Sequence, residues 1–305
     1  MILSVYPMRD EGYFMEFSLI MGTLNRAKET AICLRSLLKQ KFKDFEVIII
    51  DQSTDEETRK LAYGAEFGGL NIIYTHVDFR GLSRARNAGL ALASGRYFAL
   101  IDDDAGYDEN YLLNAHKLLE NDSKTILSGY IYNNFQKKVM KEYLTTKNGS
   151  VMSVRKIMRM APSPALIYPM EIYRQGIKFD EEFGVGAKYG ACEETDVILT
   201  ALDSGYRVRY CADMIVEHPT IVHSFEVENT TSLKKKENYA YGLGALLAKD
   251  KLCRGSGRLA GYEFEKKLKC SIKKTGFFGN GRKQQAVSEL RGLNRGKKEY
   301  GEKIK

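Results

Sequence analysis

Strand-like and helix-like segments alternate through residues 1–230, and this alternation limits the possible folds more than any other feature of the sequence. Short apolar runs such as FEVIIID (residues 45–51) and RYFALID (residues 96–102) are typical of strands that are covered on both faces. Between them, segments such as LSRARNAGLALAS (residues 82–94) have apolar residues at helical spacing. The repeated order of strand and helix predicts right-handed crossovers and an α/β fold with a mostly parallel central sheet.

Polar residues follow several of the predicted strands. Thr23 and Asn25 follow the first, Asp51 the second, and residues 102–104 the fourth. Ligands of parallel sheets bind beyond the carboxyl ends of the strands, so we expect a ligand site here. The sequence contains neither G-x-G-x-x-G nor a Walker-type motif, which argues against a dinucleotide dehydrogenase or a P-loop enzyme.

Three consecutive aspartates, Asp102, Asp103 and Asp104, end the fourth apolar run. In an extended segment Asp102 and Asp104 would point to one side and Asp103 to the other. Two carboxylates on one side make a site for Mg²⁺ or Mn²⁺, which share their remaining positions with phosphates and water. The alternative is a solvated acidic turn before the next helix, and the triplet alone leaves both open.

A second acidic cluster consists of Glu193, Glu194 and Asp196, just after a stretch with three glycines between Gly184 and Gly190. These acids begin a predicted helix, where the helix dipole favours negative charge, so they have a purely structural explanation. The functional alternative is a general base at the start of a helix, beside a loop that closes on a ligand.

Two arginines, Arg84 and Arg86, lie near the start of the helix predicted between the third and fourth strands. An arginine beside a diphosphate would stabilise its charge through bidentate hydrogen bonds. The alternative for either residue is an ordinary surface ion pair.

The net charge of +8 is divided unevenly along the chain. Residues 231–305 contain 20 Lys and Arg against 7 Asp and Glu, a net charge of +13, so the rest of the chain has a net charge of −5. We therefore expect a catalytic domain over residues 1–230 and a basic, mainly helical extension over residues 231–305. Lys and Arg interleaved with Leu, Tyr and Phe suit an anionic membrane surface or a nucleic acid, and a solvated helical appendage is the simpler alternative.

Cysteine usage and hydropathy indicate the cellular compartment in which we expect the protein. The five cysteines form no C-x-x-C pair, which fits a reducing cytoplasm and argues against a structural zinc site. The N-terminus lacks a basic region and a long apolar run, and no segment approaches the ~18 consecutive apolar residues of a membrane span. We expect a cytoplasmic protein with peripheral contact to the inner face of the cell membrane.

Four segments, in this order, resemble glycosyltransferase family 2, the nucleotide-sugar-dependent enzymes of the GT-A fold. The segments are FSLIMGTLNRAKETAICLRSLLKQ (residues 17–40), FEVIIIDQSTDEET (45–58), GLSRARNAGLALASGRYFALIDDD (81–104) and FDEEFGVGAKYGACEETDVILTALDSGYRV (179–208). The resemblance covers about residues 16–220. One departure is Met21-Gly22, which stands where an apolar residue and proline are usual in the family.

The resemblance implies a role for each matching position. The nucleotide-sugar donor would be bound by Thr23, Asn25, Arg26, Asp51, Arg84, Arg86, Asp102 and Asp103. The cofactor, Mn²⁺ or Mg²⁺, would be held by Asp104, Asp102 and His218. Glu194 would be the catalytic base, with Glu193 and Asp196 orienting it or the acceptor.

The implied reaction is a single displacement that inverts the anomeric carbon. The donor would be a nucleoside diphosphate sugar, with UDP favoured, and the acceptor a surface glycan or a lipid-linked glycan near an anionic membrane. Two other classes remain as alternatives: a nucleic-acid-binding protein acting through the basic extension, and a nucleotidyltransferase. The first lacks a recognised binding module and the second a Gly-rich basic loop after the first strand, so we expect no nucleic-acid partner.

Overall fold

A computed structural model describes residues 15–120, 122–132, 141–218, 230–277 and 280–304. Over these residues the chain forms eight strands and eleven α-helices. The strands are β1 (Met15–Thr23), β2 (Phe45–Asp51), β3 (Ile72–His76), β4 (Gly95–Ile101), β5 (Gly106–Tyr107), β6 (Thr125–Tyr132), β7 (Leu166–Pro169) and β8 (Arg207–Glu217). The helices are α1 (Ala27–Leu38), α2 (Glu57–Ala62), α3 (Leu82–Leu92), α4 (Tyr111–Leu119), α5 (Lys141–Thr145), α6 (Val154–Met160), α7 (Glu171–Arg174), α8 (Glu193–Asp203), α9 (Thr230–Leu252), α10 (Ala260–Lys274) and α11 (Asn280–Ile304).

All eight strands belong to one sheet in the order β3-β2-β1-β4-β7-β6-β8-β5. The first four strands are parallel, as expected. Beyond them β7 is antiparallel to both of its neighbours, β6 and β8 are parallel, and β5 is antiparallel to β8. The predicted α/β class with a mostly parallel sheet is confirmed, and the antiparallel β7 makes the sheet mixed.

Alternate residues of β2 explain why this strand has no polar face. Val47 and Ile49 join the large core that includes α1, whereas Ile48 and Ile50 join a second apolar cluster with Ala85 of α3. Because successive side chains of a strand point to opposite faces, helices cover the sheet on both sides here.

Two glycines let α3 approach β1 closely. A Cβ atom at Gly89 would lie 2.5 Å from Cγ2 of Ile20, and one at Gly22 would lie 3.1 Å from Cδ1 of Leu82. Gly22 belongs to the pair Met21-Gly22, at which the sequence departs from the pattern of the family it resembles. The close approach brings the N-terminal half of α3 to the carboxyl edge of the sheet.

The three C-terminal helices are packed onto the rest of the chain through a shared apolar cluster. Phe183, Tyr189 and Leu199 contribute to this cluster from the sheet-containing part, and side chains of α9 and α11 complete it. The mainly helical character of the extension is confirmed. The domain limit at residue 230 stays a prediction, since residues 219–229 lie outside the described ones.

Candidate active site

Neighbouring strand ends bring polar side chains together at one edge of the sheet. The parallel pairing of β1 with β2 sets Thr23 beside Asp51. On the other side of β1, β4 ends at Ile101, and Asp102 is the next residue. A turn closed by a hydrogen bond from the Ala105 N–H to the Asp102 carbonyl, 3.1 Å long, carries the aspartates over this edge.

Asp102, Asp104 and His218 form a cluster with the composition of a metal site. One ligand atom from each lies within 4.8 Å of the others. Nε2 of His218, the residue after β8, is 3.2 Å from Oδ1 of Asp104 and 3.5 Å from Oδ2 of Asp102. Two carboxylates and one imidazole fit a divalent cation that keeps open positions for a ligand.

The charges of this cluster affect the ionisation of its members. Burial lowers the pKa of His218, but hydrogen bonds to Asp102 and Asp104 outweigh it and raise the pKa to about 9. Burial raises the pKa of Asp104, but hydrogen bonds from His218 and Arg26 outweigh it and lower the pKa to about 2. The Arg26 contact, from Nη2 to Oδ2 of Asp104, is 2.7 Å long. In this arrangement cationic side chains neutralise the carboxylates.

Asp103 points away from the His218 side, and it is buried. Oγ1 of Thr23 donates a hydrogen bond to Oδ2 of Asp103 at 2.8 Å, and Nε of Arg26 lies 3.2 Å from Oδ1. Burial raises the pKa of Asp103 to about 6, against the opposing effects of Thr23 and Arg26. Asp103 therefore joins β1 to the acidic turn.

Asn25 shapes the turn between β1 and α1. Its φ of 54° is in the left-handed region, which asparagine adopts more readily than most residues. Its backbone N–H donates to Oγ of Ser53 at 2.7 Å, and its Oδ1 accepts from the Thr54 N–H at 3.0 Å. The turn after β1 is thus held to the loop after β2.

Asp51 is fully buried at the end of β2, and the residues that follow it line an open cleft of about 310 Å³. Its Oδ1 accepts a hydrogen bond from the Ser53 N–H at 2.9 Å, and its Oδ2 accepts one from the Tyr74 hydroxyl at 2.8 Å. The first bond holds Ser53, one of the residues that line the cleft together with Thr54, Glu56, His76, Asp78 and Arg80.

Arg86 is a buried cation that links the two acidic clusters. Its Nη1 donates to Oε1 of Glu193 at 2.8 Å, and its Nη2 lies 3.5 Å from Oδ1 of Asp102 and donates to Oγ of Ser163. The side chain is 2% exposed, so it sits between these groups rather than in an open cleft. Sequence reasoning expected an arginine at the donor, and the structure brings Arg86 to the acidic centre.

Arg84 lies elsewhere. It is exposed, and its guanidinium carbon is 4.2 Å from the centre of the Phe79 ring. Arg84 and Arg86 are two residues apart on α3, so they point in different directions. The structure brings Arg86, but not Arg84, into contact with the two acidic clusters.

Glu194 is the acid with the most perturbed ionisation at the start of α8. Burial, followed by the negative charge of Glu193, raises the pKa of Glu194 to about 8, and the charge of Asp102 adds to the rise. Glu193 is held by Arg86. A Cβ atom at Gly184, whose φ is 98°, would lie 3.1 Å from Cδ of Glu193, so the glycine-containing loop covers this carboxylate.

Asp196 faces the C-terminal helices instead of the other acids. Its carboxylate oxygens lie 2.8 Å from Nζ of Lys249 and 2.5 Å from Nη2 of Arg254. The carboxylate is buried, and these two cations compensate its charge. The structure thus brings Glu193, Glu194 and Asp102 together and places Asp196 at the contact between α8 and α9.

Tyr239 of α9 lies near the acidic centre, and sequence reasoning missed it. Burial raises the pKa of its hydroxyl, followed by the charges of Glu193, Glu194 and Asp102. Nearby, a Cβ atom at Gly242 would lie 2.7 Å from the carbonyl oxygen of Ala191, so α9 touches the loop before α8 directly. No motif marks Tyr239, since its position depends on a contact between segments distant in sequence.

Comparison with known proteins identifies the family. The family model described as glycosyl transferase family 2 matches residues 18–177. A PGL/p-HBAD biosynthesis glycosyltransferase of Mycobacterium tuberculosis is 33% identical over 99 residues, which is 32% of this chain and 38% of that protein. Glycosyltransferase GlyG of Streptococcus pneumoniae is 21% identical over 117 residues, 38% of this chain and 39% of that protein. The chain therefore belongs to glycosyl transferase family 2, and the alternative classes are not favoured.

Solved structures with the same fold cover nearly the whole chain. S. aureus TarS 1-349 in complex with UDP-GlcNAc has a TM-score of 0.56 and 17% identity, covering 95% of this chain and 92% of that one. The mannosyltransferase PcManGT from Pyrobaculum calidifontis in complex with GDP-Man and Mn²⁺ has a TM-score of 0.62 and 15% identity, covering 92% and 87%. These likenesses confirm the predicted GT-A fold. By contrast, the chain spans less than two fifths of the length of the curated relatives named above.

None of the helices in the described ranges is long and apolar enough to span a bilayer. Of the longest two, α9 carries lysines near both ends, and α11 carries lysines and arginines along most of its length.

Proposed function

We propose that this chain transfers a sugar from a nucleoside diphosphate sugar to an acceptor hydroxyl with inversion of the anomeric carbon. The observation that carries the proposal is the cluster of Asp102, Asp104 and His218 at the carboxyl edge of the sheet, the edge at which the residues after β2 and β3 also line a cleft. This is where an α/β sheet binds its ligand. The similar structures that hold UDP-GlcNAc or GDP-Man with Mn²⁺ support this donor class.

Asp102, Asp104 and His218 are the residues that would hold the divalent cation. The cation, when bound, neutralises charge on the diphosphate leaving group. The imidazole favours Mn²⁺ over Mg²⁺, because Mg²⁺ prefers oxygen ligands. Arg26, which neutralises Asp103 and Asp104 in the structure, is 41% exposed and can turn toward the donor phosphates.

The donor nucleotide would occupy the cleft lined by the residues after β2 and β3. Asn25 and Asp51 hold Ser53 and Thr54 of its lining, and Thr23 holds Asp103 at the same edge of the sheet. We favour UDP among the nucleotides, since TarS holds UDP and UDP-GlcNAc in this fold.

Glu194 would remove the proton of the acceptor hydroxyl. The acceptor oxygen forms a bond to the anomeric carbon, the bond from that carbon to the diphosphate breaks, and the nucleoside diphosphate leaves with the electron pair. A base with a raised pKa accepts the proton more readily, and positioned general bases contribute roughly 10²–10⁴-fold to a rate. Arg86 pairs with Glu193, whereas no side chain in the described part of the chain forms an ion pair with Glu194, so Glu194 is the acid assigned as the base.

The acceptor in this proposal is a surface glycan or a lipid-linked glycan, and the reaction takes place on the cytoplasmic side of a membrane. The exposed ring of Tyr239 and the glycine-containing loop from Gly184 border the same acids, so they would border the acceptor. The similar proteins named above are glycosyltransferases, which fits this class of reaction.

Thermal unfolding with a panel of UDP-, GDP-, CDP- and dTDP-sugars, each with and without Mn²⁺, tests the donor. One nucleotide class should raise the melting temperature in the presence of Mn²⁺, since ligand binding to the folded state stabilises it. Asp104→Asn should remove the shift, and Glu120→Gln, an exposed acid away from the site, should keep it. Shifts of equal size in Asp104→Asn would refute the assignment.

The base is tested separately from the donor. Glu194→Gln should keep the metal-dependent thermal shift and lose turnover, because the amide cannot accept the acceptor proton. Normal turnover by Glu194→Gln would refute the assignment of the base and leave the donor site standing.

A further inference from the structure

Helix α10 exposes a stripe of large apolar side chains, and we propose that this stripe binds the surface of an anionic lipid bilayer. Phe264, Leu268 and Ile272 are 69%, 50% and 49% exposed, and Phe277, just after the helix, is 86% exposed. The first three are spaced four residues apart, so they lie in one row along the helix. An exposed row of this kind marks an interaction surface rather than scattered surface residues.

The opposite side of α10 is already packed against the protein. Cys270 is buried, Tyr262 contacts the apolar cluster of the C-terminal helices, and Nζ of Lys266 is 2.5 Å from Oε2 of Glu289 in α11. The helix is therefore held in place by one face while the stripe faces outward.

Lysines border the stripe. By helical spacing Lys267 and Lys274 lie along one side of it and Lys269 along the other, and Lys283 of α11 approaches the turn at Gly276. Lys267 and Lys269 also pair with Glu263 and Glu265, but residues 263–283 contain seven Lys and Arg against these two Glu, so the surface stays positive. Apolar side chains that enter the acyl region and lysines that meet phosphate headgroups are the two features of a helix lying on a membrane.

Other occupants fit this surface less well. A second copy of the chain would bring two lysine-rich borders together, and like charges facing each other are unfavourable. A nucleic acid would satisfy the lysines and could stack bases on Phe264 and Phe277, but it would leave Leu268 and Ile272 in water, because aliphatic side chains offer bases neither hydrogen bonds nor stacking. The anionic bilayer is the occupant that uses both the apolar row and the charges.

The position of α10 connects the proposed membrane-binding stripe with the candidate active site. Tyr262 packs with the cluster that also contacts Cys192, the residue before α8 and its acids. Binding through the outer face of α10 would hold the start of α8 close to the lipid surface. This last consequence rests on the proposed function, whereas the binding itself does not.

The absence of tryptophan from the sequence permits a direct measurement of insertion. Phe264→Trp should show a blue-shifted emission maximum when mixed with phosphatidylcholine vesicles containing about 30 mol% phosphatidylglycerol, because the indole leaves water. Tyr63→Trp, a 70% exposed position far from α10 in the chain, should show no shift.

Co-sedimentation with the same vesicles separates the contribution of the apolar side chains to binding from that of the lysines. Phe264→Gln, Leu268→Gln and Phe277→Gln combined should lower the partition coefficient about tenfold or more. Lys267→Gln with Lys274→Gln should remove the preference for phosphatidylglycerol over pure phosphatidylcholine. The matched controls, Ile32→Gln with Tyr63→Gln and Lys39→Gln with Lys60→Gln, should bind as the native protein does.

Three results would overturn the proposal. The first is that the native protein binds neither vesicle, and the second is that the triple glutamine variant binds as well as the native protein. The third is that the native protein does not bind vesicles and light scattering shows it to be oligomeric, whereas the triple variant is monomeric. The last would assign the stripe to self-association. The melting-temperature shift with nucleotide sugar and Mn²⁺ is unaffected by these outcomes, so a failure here is distinct from a failure of the proposed donor site.

Discussion

At the scale of single residues, Arg86 is the group that holds the two acidic clusters in one arrangement. It is buried, and it contacts Glu193 on α8 and Asp102 after β4. A buried cation between two carboxylates compensates charges that would otherwise repel each other. We infer that Arg86 positions both acids for the proposed reaction, without itself touching the donor.

Replacing Arg86 should therefore be costly. Arg86→Met should lower the free energy of unfolding by about 3–5 kcal/mol, because it leaves buried carboxylates without a partner. Arg86→Lys should cost less, since it restores the charge but not the forked geometry. Denaturant unfolding at neutral pH measures both, with Arg84→Met as the matched control that we expect to be nearly neutral. Equal effects at the two positions would contradict the role given to Arg86.

The contacts of Asp103 in the structure differ from what its position in the middle of the three aspartates suggests. In an extended segment Asp103 points away from the metal side, and that orientation alone would favour tolerance of substitution. In the structure it accepts a buried hydrogen bond from Thr23 and contacts Arg26. A substitution that removes the acceptor would leave the Thr23 hydroxyl without its partner, so we expect alanine to be poorly tolerated there.

Asp103 also predicts a pH dependence of stability. Its pKa is raised from about 4 to about 6 on folding, so its ionisation destabilises the metal-free protein as the pH rises through this window. Asp103→Asn removes that ionisation. The variant should gain up to about 3 kcal/mol relative to the native protein between pH 4 and pH 6, and no more above it. Unfolding curves in EDTA measure the difference, and parallel stability curves would contradict it.

At the scale of elements, the C-terminal helices pack backbone against backbone. A Cβ atom at Gly296 of α11 would lie 2.0 Å from the carbonyl oxygen of Tyr241, and one at Gly244 of α9 would lie 2.1 Å from that of Leu293. No other residue leaves room for this approach of α9 and α11.

Gly296→Ala should separate these helices. We expect a loss of about 1–3 kcal/mol or more in the free energy of unfolding, because the backbone contacts must open. Gly301→Ala is the control on the same helix, since its Cβ would lie 3.9 Å from Leu252 in ordinary contact. The control should be neutral or slightly stabilising, as alanine favours a helix over glycine. A neutral Gly296→Ala would show that α9 and α11 are not so closely packed.

The elements also show which parts of the fold a sequence can predict. β1 to β4, α3 and α8 were predicted, because continuous apolar runs and helical spacing reflect local burial. β7 was missed: it has four residues, Pro162 and Pro164 precede it, and its place between β4 and β6 depends on tertiary contacts. β8 was also missed, since its bulge relative to β6 interrupts the alternation of side chains.

In the candidate active site, too, the features that depend on local sequence were predicted from the residues themselves and those that depend on tertiary contacts were not. The acidic turn after β4 was predicted to bind metal together with His218, and the structure clusters these side chains although residues 102 and 218 are far apart in sequence. That placement came from the resemblance to the family, since spacing alone could not supply it. The ion pairs of Asp196 and the position of Tyr239 both depend on α9, whose contacts leave no mark in the sequence.

At the scale of the whole molecule, some of the basic side chains of the extension form ion pairs with acids elsewhere in the chain. Lys249 and Arg254 pair with Asp196, and Lys303 pairs with Glu182. The positive extension thus compensates acids of the negatively charged remainder of the chain. This favours one cooperative structure over two independent domains.

Calorimetric unfolding should therefore give one transition, with equal calorimetric and van't Hoff enthalpies. Lys249→Met should lower the melting temperature and broaden the transition, because it removes a cationic partner of the buried Asp196. Lys303→Met removes a more exposed ion pair and should have little effect. Two separate transitions in the native protein would instead support independent domains on either side of residue 230.

The central claim is a metal-dependent donor site made of Asp102, Asp104 and His218, and binding of Mn²⁺ tests it most directly. Electron paramagnetic resonance of free Mn²⁺ should reveal one ion bound per chain, bound more tightly when the preferred nucleotide sugar is present. Asp104→Asn and His218→Asn should each weaken binding about tenfold or more, whereas Glu120→Gln should not. Unchanged Mn²⁺ binding in both site variants would contradict the account.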